Sequence, residues 1–495
     1  MQKKFKLKFA QWAILISGLC TSCSLSNYIS IGSKESIDVD LATQQIEQEK
    51  QAEAARLEAE RKAEEARAAA EKQRQAEAKL TEVIGNRELQ FKPVVARIYA
   101  DNDYALLWQD KQAEQHFLKE YAALVASGIS ARSARSLEAI SAENPDNNPV
   151  YDILLTDAFL DYMYYAKNVT KFAQNWLYSV NSYKAGKPTD EEITQWLTAV
   201  KNNQNADYVT QLVGGNSLYR QTIDKISSSL HAGIMKDAKL DLHKLALNAQ
   251  RLRVIPDFNN GIFVNIPSYQ LNYYRDGYLV LNSRVIVGKK ERRTPVMYSK
   301  LSNVVVNPPW NAPTRLINED IIPKVKRDPS YLATHGYSII DSKGGQVDPS
   351  TINWSAMGNK FPYRLRQDAG DNSALGRFKF NMPSSDAIYL HDTPNHGLFN
   401  KQNRSLSSGC VRVDKSDQLA SILLREAGWS EAKKQSVLAS KKTTSATIQS
   451  DNPVYLYYVT NWVENGKVHS LPDIYGYDNV PNPSYVNWDV LKRYL

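Results

Sequence analysis

The 495-residue chain holds only three cysteines, Cys20, Cys23 and Cys410. The first two follow an N-terminal apolar stretch, so the body of the protein has one cysteine and no partner for an internal disulfide. Long apolar runs are scarce too. The longest, residues 9–19, follows Lys3, Lys4, Lys6 and Lys8 and falls short of the roughly 20 residues a spanning helix needs. A basic start and a short apolar run read as an export signal. No His/Cys/Asp cluster has structural-zinc spacing, so no metal is expected. The formal charge of +8 falls to about half once the four signal lysines are cleaved, and no basic patch is concentrated enough to suggest nucleic acid. Mild positive charge suits an anionic polymer outside the cytoplasm better.

Small residues precede Cys23 in "LCTSCS", as at a lipoprotein processing site. The reading is a 1–23 signal peptide, lipidation at Cys23 and attachment to a membrane through the N-terminal lipid anchor. Cys20 stands where a leucine is usual, and ordinary cleavage or an uncleaved anchor is the other reading. Ser24 after Cys23 points to the outer membrane, which places the chain in the periplasm.

Residues 24–82 form a charged spacer. Between 41 and 80 it is nearly all Ala, Glu, Lys, Arg and Gln, strong helix formers. Glu53–Arg56, Glu58–Lys62, Glu64–Arg67 and Glu71–Arg74 have helix-supporting spacing. Large apolar groups are too few for a coiled coil. A solitary helix of roughly 60 Å is predicted, with a disordered linker as the alternative. From 83 to 253 apolar residues recur at three- and four-residue steps, predicting a helical scaffold. Loops fall at "NPDNNP" and "KAGKPTDEE", and Thr189 is placed as an N-cap.

The texture turns β-rich near 254. Residues 262–288 read as two strands joined by a hairpin at Arg275-Asp276-Gly277. "SNVVVN" and "AIYLHD" read as further strands, and the Pro-, Asn- and Asp-rich stretch about 308–372 as an inserted lid. Asp414 is expected to cap the helix after Cys410. The fold class is α+β: helical spacer and scaffold, a β-rich domain over 254–430, and a C-terminal subdomain over 431–495.

Cys410 stands in "SLSSGCVRV". Ser407, Ser408 and Gly409 are small, and glycine lets a ligand approach the backbone. Arg412 turned inward would favour a thiolate. The N–H groups of Gly409 and Cys410 could hold an oxyanion. A thiol nucleophile needs a base within reach, and His391, ending a β-run, fits better than His396 in its Pro-Asn-Gly loop. A buried inert cysteine is the plainer alternative.

His391 in "YLHDTP", then fifteen residues to "SSGCVRV", resembles the signature of the L,D-transpeptidase (YkuD-type) catalytic domain. Ser408 stands where that family usually has histidine, as in its large periplasmic (YcbB-like) branch. "VNIPSYQLNYYRDG", "VVVNPPWNAP", "SALGRFKF" and "NWVENGKVHSLPDIYGYD" resemble the same branch, and upstream "DNDYALLW" and "LLTDAFLDYM" resemble its scaffold. The inserted peptidoglycan-binding domain of that branch has no counterpart here.

The resemblance implies cell-wall biogenesis by 3→3 cross-linking of peptidoglycan. Stem tetrapeptides would be donor and acceptor, with a thioester on Cys410, His391 as base, no cofactor, and inhibition by carbapenems. It implies substrate contact for Arg412, Ser408, Tyr389, His396 and Trp310. Two other functions stand beside it. One is a thiol-dependent cell-wall peptide hydrolase, whose histidine would follow the cysteine, as only His469 does. The other is a non-catalytic peptidoglycan-binding lipoprotein tether.

Overall fold

The computed structural model describes residues 34–179, 183–235, 240–357, 361–478 and 483–495. The export signal and the lipidation expected at Cys23 lie outside them.

Helix α1, Lys34–Ile84, starts before and ends after the predicted span. Its ion pairs include Lys62–Glu58 at 3.3 Å and Arg74–Glu71 at 2.7 Å, whereas Arg56 turns to Glu60 at 3.0 Å. Fully exposed pairs of this kind add little, so composition sustains the helix more than pairing does. The chain divides into two units at the Gln75–Ala76 boundary. In the second, Ala76, Leu80 and Ile84 at the end of α1 are buried in the helical core.

That core is built by α2 (Lys92–Asp101), α3 (Lys111–Ala126), α4 (Ala131–Ser141), α5 (Pro149–Leu177), α6 (Asp190–Lys201), α7 (Asn205–Leu212), α8 (Ser217–His231) and α9 (Leu242–Arg253). Helix α5 starts at Pro149 behind Asn148, whose side chain accepts from the N–H groups of Val150 and Tyr151. These are the proline and capping signals expected of a helix start. Thr189 caps α6 in a full capping box with Glu192, as the sequence predicts. On α5, Asp157 is pushed up to about 7 by burial and accepts from the N–H groups of Gln90 and Phe91.

The β-region is one eleven-stranded sheet with a small one inserted. In chain order the strands are β1 (Gly261–Asn265), β2 (Gln270–Arg275), β3 (Tyr278–Gly288), β4 (Met297–Lys300), β5 (Asn303–Val306), β6 (Trp310–Asn311), β7 (Tyr337–Ile340), β8 (Gln346–Val347) and β9 (Arg364–Gln367). They continue as β10 (Phe378–Asn381), β11 (Leu390–His391), β12 (Ser405–Ser407), β13 (Val411–Val413), β14 (Thr444–Thr447), β15 (Pro453–Tyr457), β16 (Asn461–Glu464) and β17 (Lys467–Ser470). The main sheet runs β14-β5-β10-β11-β13-β3-β2-β1-β15-β4, with β12 beside β3.

Three expectations need correction. Residues 262–288 make three strands, because a 3-10 turn at Ile266–Ser268 and Tyr269, at φ +55°, break the first run. Residues 431–495 are no separate subdomain, since β14 and β15 are strands of the main sheet. Asp414 does not cap the helix Ser416–Glu426, whose N-cap is Lys415 without a side-chain bond. Its carboxylate pairs with Arg284 at 2.8 Å, and an ion pair across the fold outcompetes a local cap. The hairpin stands as predicted, with Asp276 and Gly277 both at positive φ, as a two-residue type I′ turn requires.

The stretch 310–367 folds on itself. Strands β6-β9-β7-β8 form a four-stranded sheet over a core of its own that includes Ile317, Ile321, Val325, Leu332 and Leu365.

Helices and main sheet are joined by buried charge. Arg251, fully buried on α9, pairs with Asp478 at 2.6 Å and donates to the carbonyls of Leu177 (3.0 Å) and Tyr477 (2.7 Å). Removing one partner of such a pair strands the other in low dielectric, at about 3–5 kcal/mol. Arg251→Ala should therefore lower the chemical-denaturation stability by that amount. An unchanged midpoint would show that the pair contributes nothing.

Candidate active site

Three adjacent strands set the site by their alternation. Phe378 and Phe380 of β10, Leu390 of β11, and Val411 and Val413 of β13 enter the sheet core. The intervening residues Lys379, His391 and Arg412 therefore share the opposite face. Register aligns them: Lys379 pairs with His391, and His391 with Arg412. Two cations thus flank one imidazole in a single row.

Cys410 stands directly before β13. Gly409 before it has φ +123°, a conformation side chains resist, so glycine is required to turn the chain into the strand. Ser407 braces the turn: its hydroxyl donates to the Cys410 carbonyl at 2.6 Å and accepts from the Gly409 N–H at 3.1 Å. The Thr294 hydroxyl donates to the Gly409 carbonyl at 2.7 Å and accepts from the Gly288 N–H at 2.8 Å, while the Thr294 N–H donates to the Tyr475 hydroxyl at 3.1 Å. Of the two amides expected to be free for an oxyanion, Gly409's is therefore engaged in this structure.

The cysteine sulfur lies 3.9 Å from the Ala387 carbonyl. The Tyr389 hydroxyl lies within electrostatic reach of both the sulfur and the Trp310 indole, and burial pushes its pKa up. Trp310 opens the inserted sheet, so that sheet and the thiol share Tyr389 as a neighbour. Burial pushes the Cys410 thiol up; the Tyr389 hydroxyl, Lys379 and Arg412 pull it back toward ionisation.

His391 is buried, and its Nδ1–H donates to the Asp392 carbonyl at 2.5 Å. That bond fixes the tautomer and leaves the lone pair on Nε2. Burial first, then Arg412 and Lys379, push its pKa down to about 3, so the ring is neutral at working pH. Asp392 is held in turn: its carboxylate accepts from the Arg377 N–H at 2.8 Å and the Ser416 hydroxyl at 2.7 Å.

Arg412 is half-buried. Its Nε is shielded from solvent without a hydrogen-bond partner, and among the described residues no carboxylate pairs with its guanidinium. Desolvation lowers its pKa, and Cys410 opposes that.

Ser408 is exposed and accepts from Arg292 at 3.1 Å. Arg292, itself buried, also grips the inserted sheet's short helical segment, with Glu319 at 2.6 Å and Asp320 closer still. Ser408 is thus tied to the 310–367 insertion. His396 is exposed, with Nε2 3.8 Å from a carboxylate oxygen of Asp392; no described contact joins it to Cys410. His469 lies on β17 in a separate two-stranded ribbon, stacked on Trp462 at 4.8 Å.

Sequence reasoning missed Lys379, Thr294, Asp392 and Arg292. In "GRFKFN" the alternation marks Lys379 as facing away from the core, but only strand register sets it beside His391.

Comparison with known proteins gives a consistent picture. The family described as "L,D-transpeptidase catalytic domain" matches residues 259–455, and the one described as "Scaffold domain" matches 93–225. A Haemophilus influenzae protein described as "Putative L,D-transpeptidase" is 57% identical over 500 residues, covering 99% of each chain. Among solved structures, the Ldtfm–avibactam carbamoyl enzyme is 11% identical over 41% of this chain and 50% of its own, with a TM-score of 0.20. An L,D-transpeptidase from Mycobacterium smegmatis is 11% identical over 39% and 57%, with a TM-score of 0.19. Likenesses at that TM-score carry no weight.

Proposed function

Given that this chain belongs to the L,D-transpeptidase family, we propose that it joins two peptidoglycan stem peptides by a 3→3 cross-link through a thioester on Cys410. The observation that carries this reading is the Cys410 loop beside the row Lys379–His391–Arg412, with His391 Nε2 left to accept a proton.

Cys410 attacks the carbonyl of the third residue of a donor tetrapeptide, and the thiol proton passes to His391. An imidazole flanked by two cations accepts a proton but keeps it poorly. It therefore hands the proton on to the departing D-Ala amine, and the thioester remains. The amine of a second stem then attacks; His391 takes its proton and returns it to the departing sulfur, regenerating the thiol. The Cys410 N–H serves the oxyanion, and Gly409 supplies the turn. Arg412, unpaired and facing the site, takes a substrate carboxylate in the fork geometry guanidinium favours. Trp310 and Tyr389 form the wall shared by the insertion and the thiol, and the insertion closes over the donor as a lid. Lipidation at Cys23 would hold the enzyme on the periplasmic face of a membrane, the outer one by the hint of Ser24.

The hydrolase reading finds less support, since His469 stacks on Trp462 in its own ribbon. The tether reading leaves the Cys410 environment without a purpose.

The test is to incubate residues 76–495, which keep the buried end of α1, with tetrapeptide-rich peptidoglycan and analyse digested muropeptides by mass spectrometry. Cross-linked 3→3 dimers are expected. Tripeptide alone would indicate hydrolysis, and no change would leave the tether.

A further inference from the structure

Lys379 is absent from the mechanism above, yet it occupies a costly position. Its side chain is half-buried, and among the described residues it has no carboxylate partner. Burying a cation without an anion is unfavourable. The ammonium lies 4.2 Å from the centroid of the Tyr389 ring, and the Tyr389 carbonyl accepts from the Val411 N–H at 3.2 Å. Residues two apart on a strand share a face, so the register of His391 with Arg412 sets Tyr389 beside Cys410. The remaining cation of the row, Arg412, sits across His391 on β13. The titratable groups facing the sulfur are thus Lys379 from β10, Tyr389 before β11, His391 on β11 and Arg412 on β13. All are cationic or neutral.

We propose that Lys379 is the charge-balancing residue of the nucleophile, holding the Cys410 thiolate through its own field. The inference rests on Cys410 being the nucleophile. It gives the sulfur's negative charge a counterion other than an imidazolium, which the flanking cations disfavour. Without substrate, the ionisation that alkylation reads is S–H to S⁻ with the proton released to water; in turnover that proton passes to His391, and Lys379 keeps its charge in both cases. Desolvation lowers the Lys379 pKa and an ionised Cys410 raises it, as mutual stabilisation requires.

The test is the pH dependence of Cys410 alkylation by iodoacetamide, a neutral reagent that reports thiolate. Wild type, Lys379→Met and Lys379→Arg would be compared, with circular dichroism confirming the fold. Losing one nearby cation should move the alkylation midpoint up by about one pH unit, so that the rate at pH 7 drops about tenfold. Lys379→Arg should restore most of it. A Lys379→Met profile superimposed on wild type would overturn the proposal and reduce Lys379 to packing. Failure of the underlying reading looks different: Cys410→Ala would still form 3→3 dimers.

Discussion

Cys410→Ala is expected to abolish dimer formation, a fall of at least ~10⁴-fold, as when the nucleophile of an acyl-transfer enzyme is removed. Cys410→Ser should be nearly as inactive. An alkoxide is far harder to form than a thiolate, and the row around Cys410 balances a negative sulfur without a strong base. Stability should barely change, because the loop is held by Ser407 and Thr294 through backbone groups. Intact-mass measurement after exposure to a carbapenem provides the check: wild type gains one covalent adduct and both variants gain none. An adduct on Cys410→Ala would place the nucleophile elsewhere.

The second large effect is at His391. His391→Gln should cut the steady-state rate by roughly 10²–10⁴-fold, the usual range for a general base. The same variant changes stability in a direction that can be worked out. The folded-state pKa is depressed from 6.5 to about 3. Between those values the unfolded chain binds a proton that the folded one does not, so stability rises with pH. The contribution is full above about 6.5 and is lost as pH falls toward 3. At roughly 1.4 kcal/mol per pH unit, that window holds on the order of 5 kcal/mol. Urea titrations between pH 4 and 7 should show a steep acid loss in wild type and a shallower one in His391→Gln. Parallel curves would mean that the buried imidazole is not the titrating group.

Cys410 and His391 could be proposed from the sequence because their motifs are short, contiguous and set at a characteristic spacing. The strand–helix texture was legible from periodicity, and Thr189 from its capping box. What failed depended on partners remote in the chain. Asp414 reads as a cap until Arg284 reaches it from β3. Lys379 reads as a surface lysine until register sets it beside His391. The 431–495 tail reads as an appendage because nothing in its composition says that β15 fills the gap between β1 and β4. Arg292 joins Ser408 to Glu319 and Asp320 across separate segments, a link that no local pattern encodes.

The position of β15 also governs when the protein can become itself. Strand β1 pairs in parallel with β15, Ile262 against Val454, so one edge of β1 waits through nearly two hundred residues of synthesis for its neighbour. Such long-range pairing slows folding, because loop closure must be met before any contact rewards it. A chain released short of residue 453 would carry an open edge strand, the kind of surface that recruits other chains. Completion of the main sheet therefore waits on the synthesis of β15.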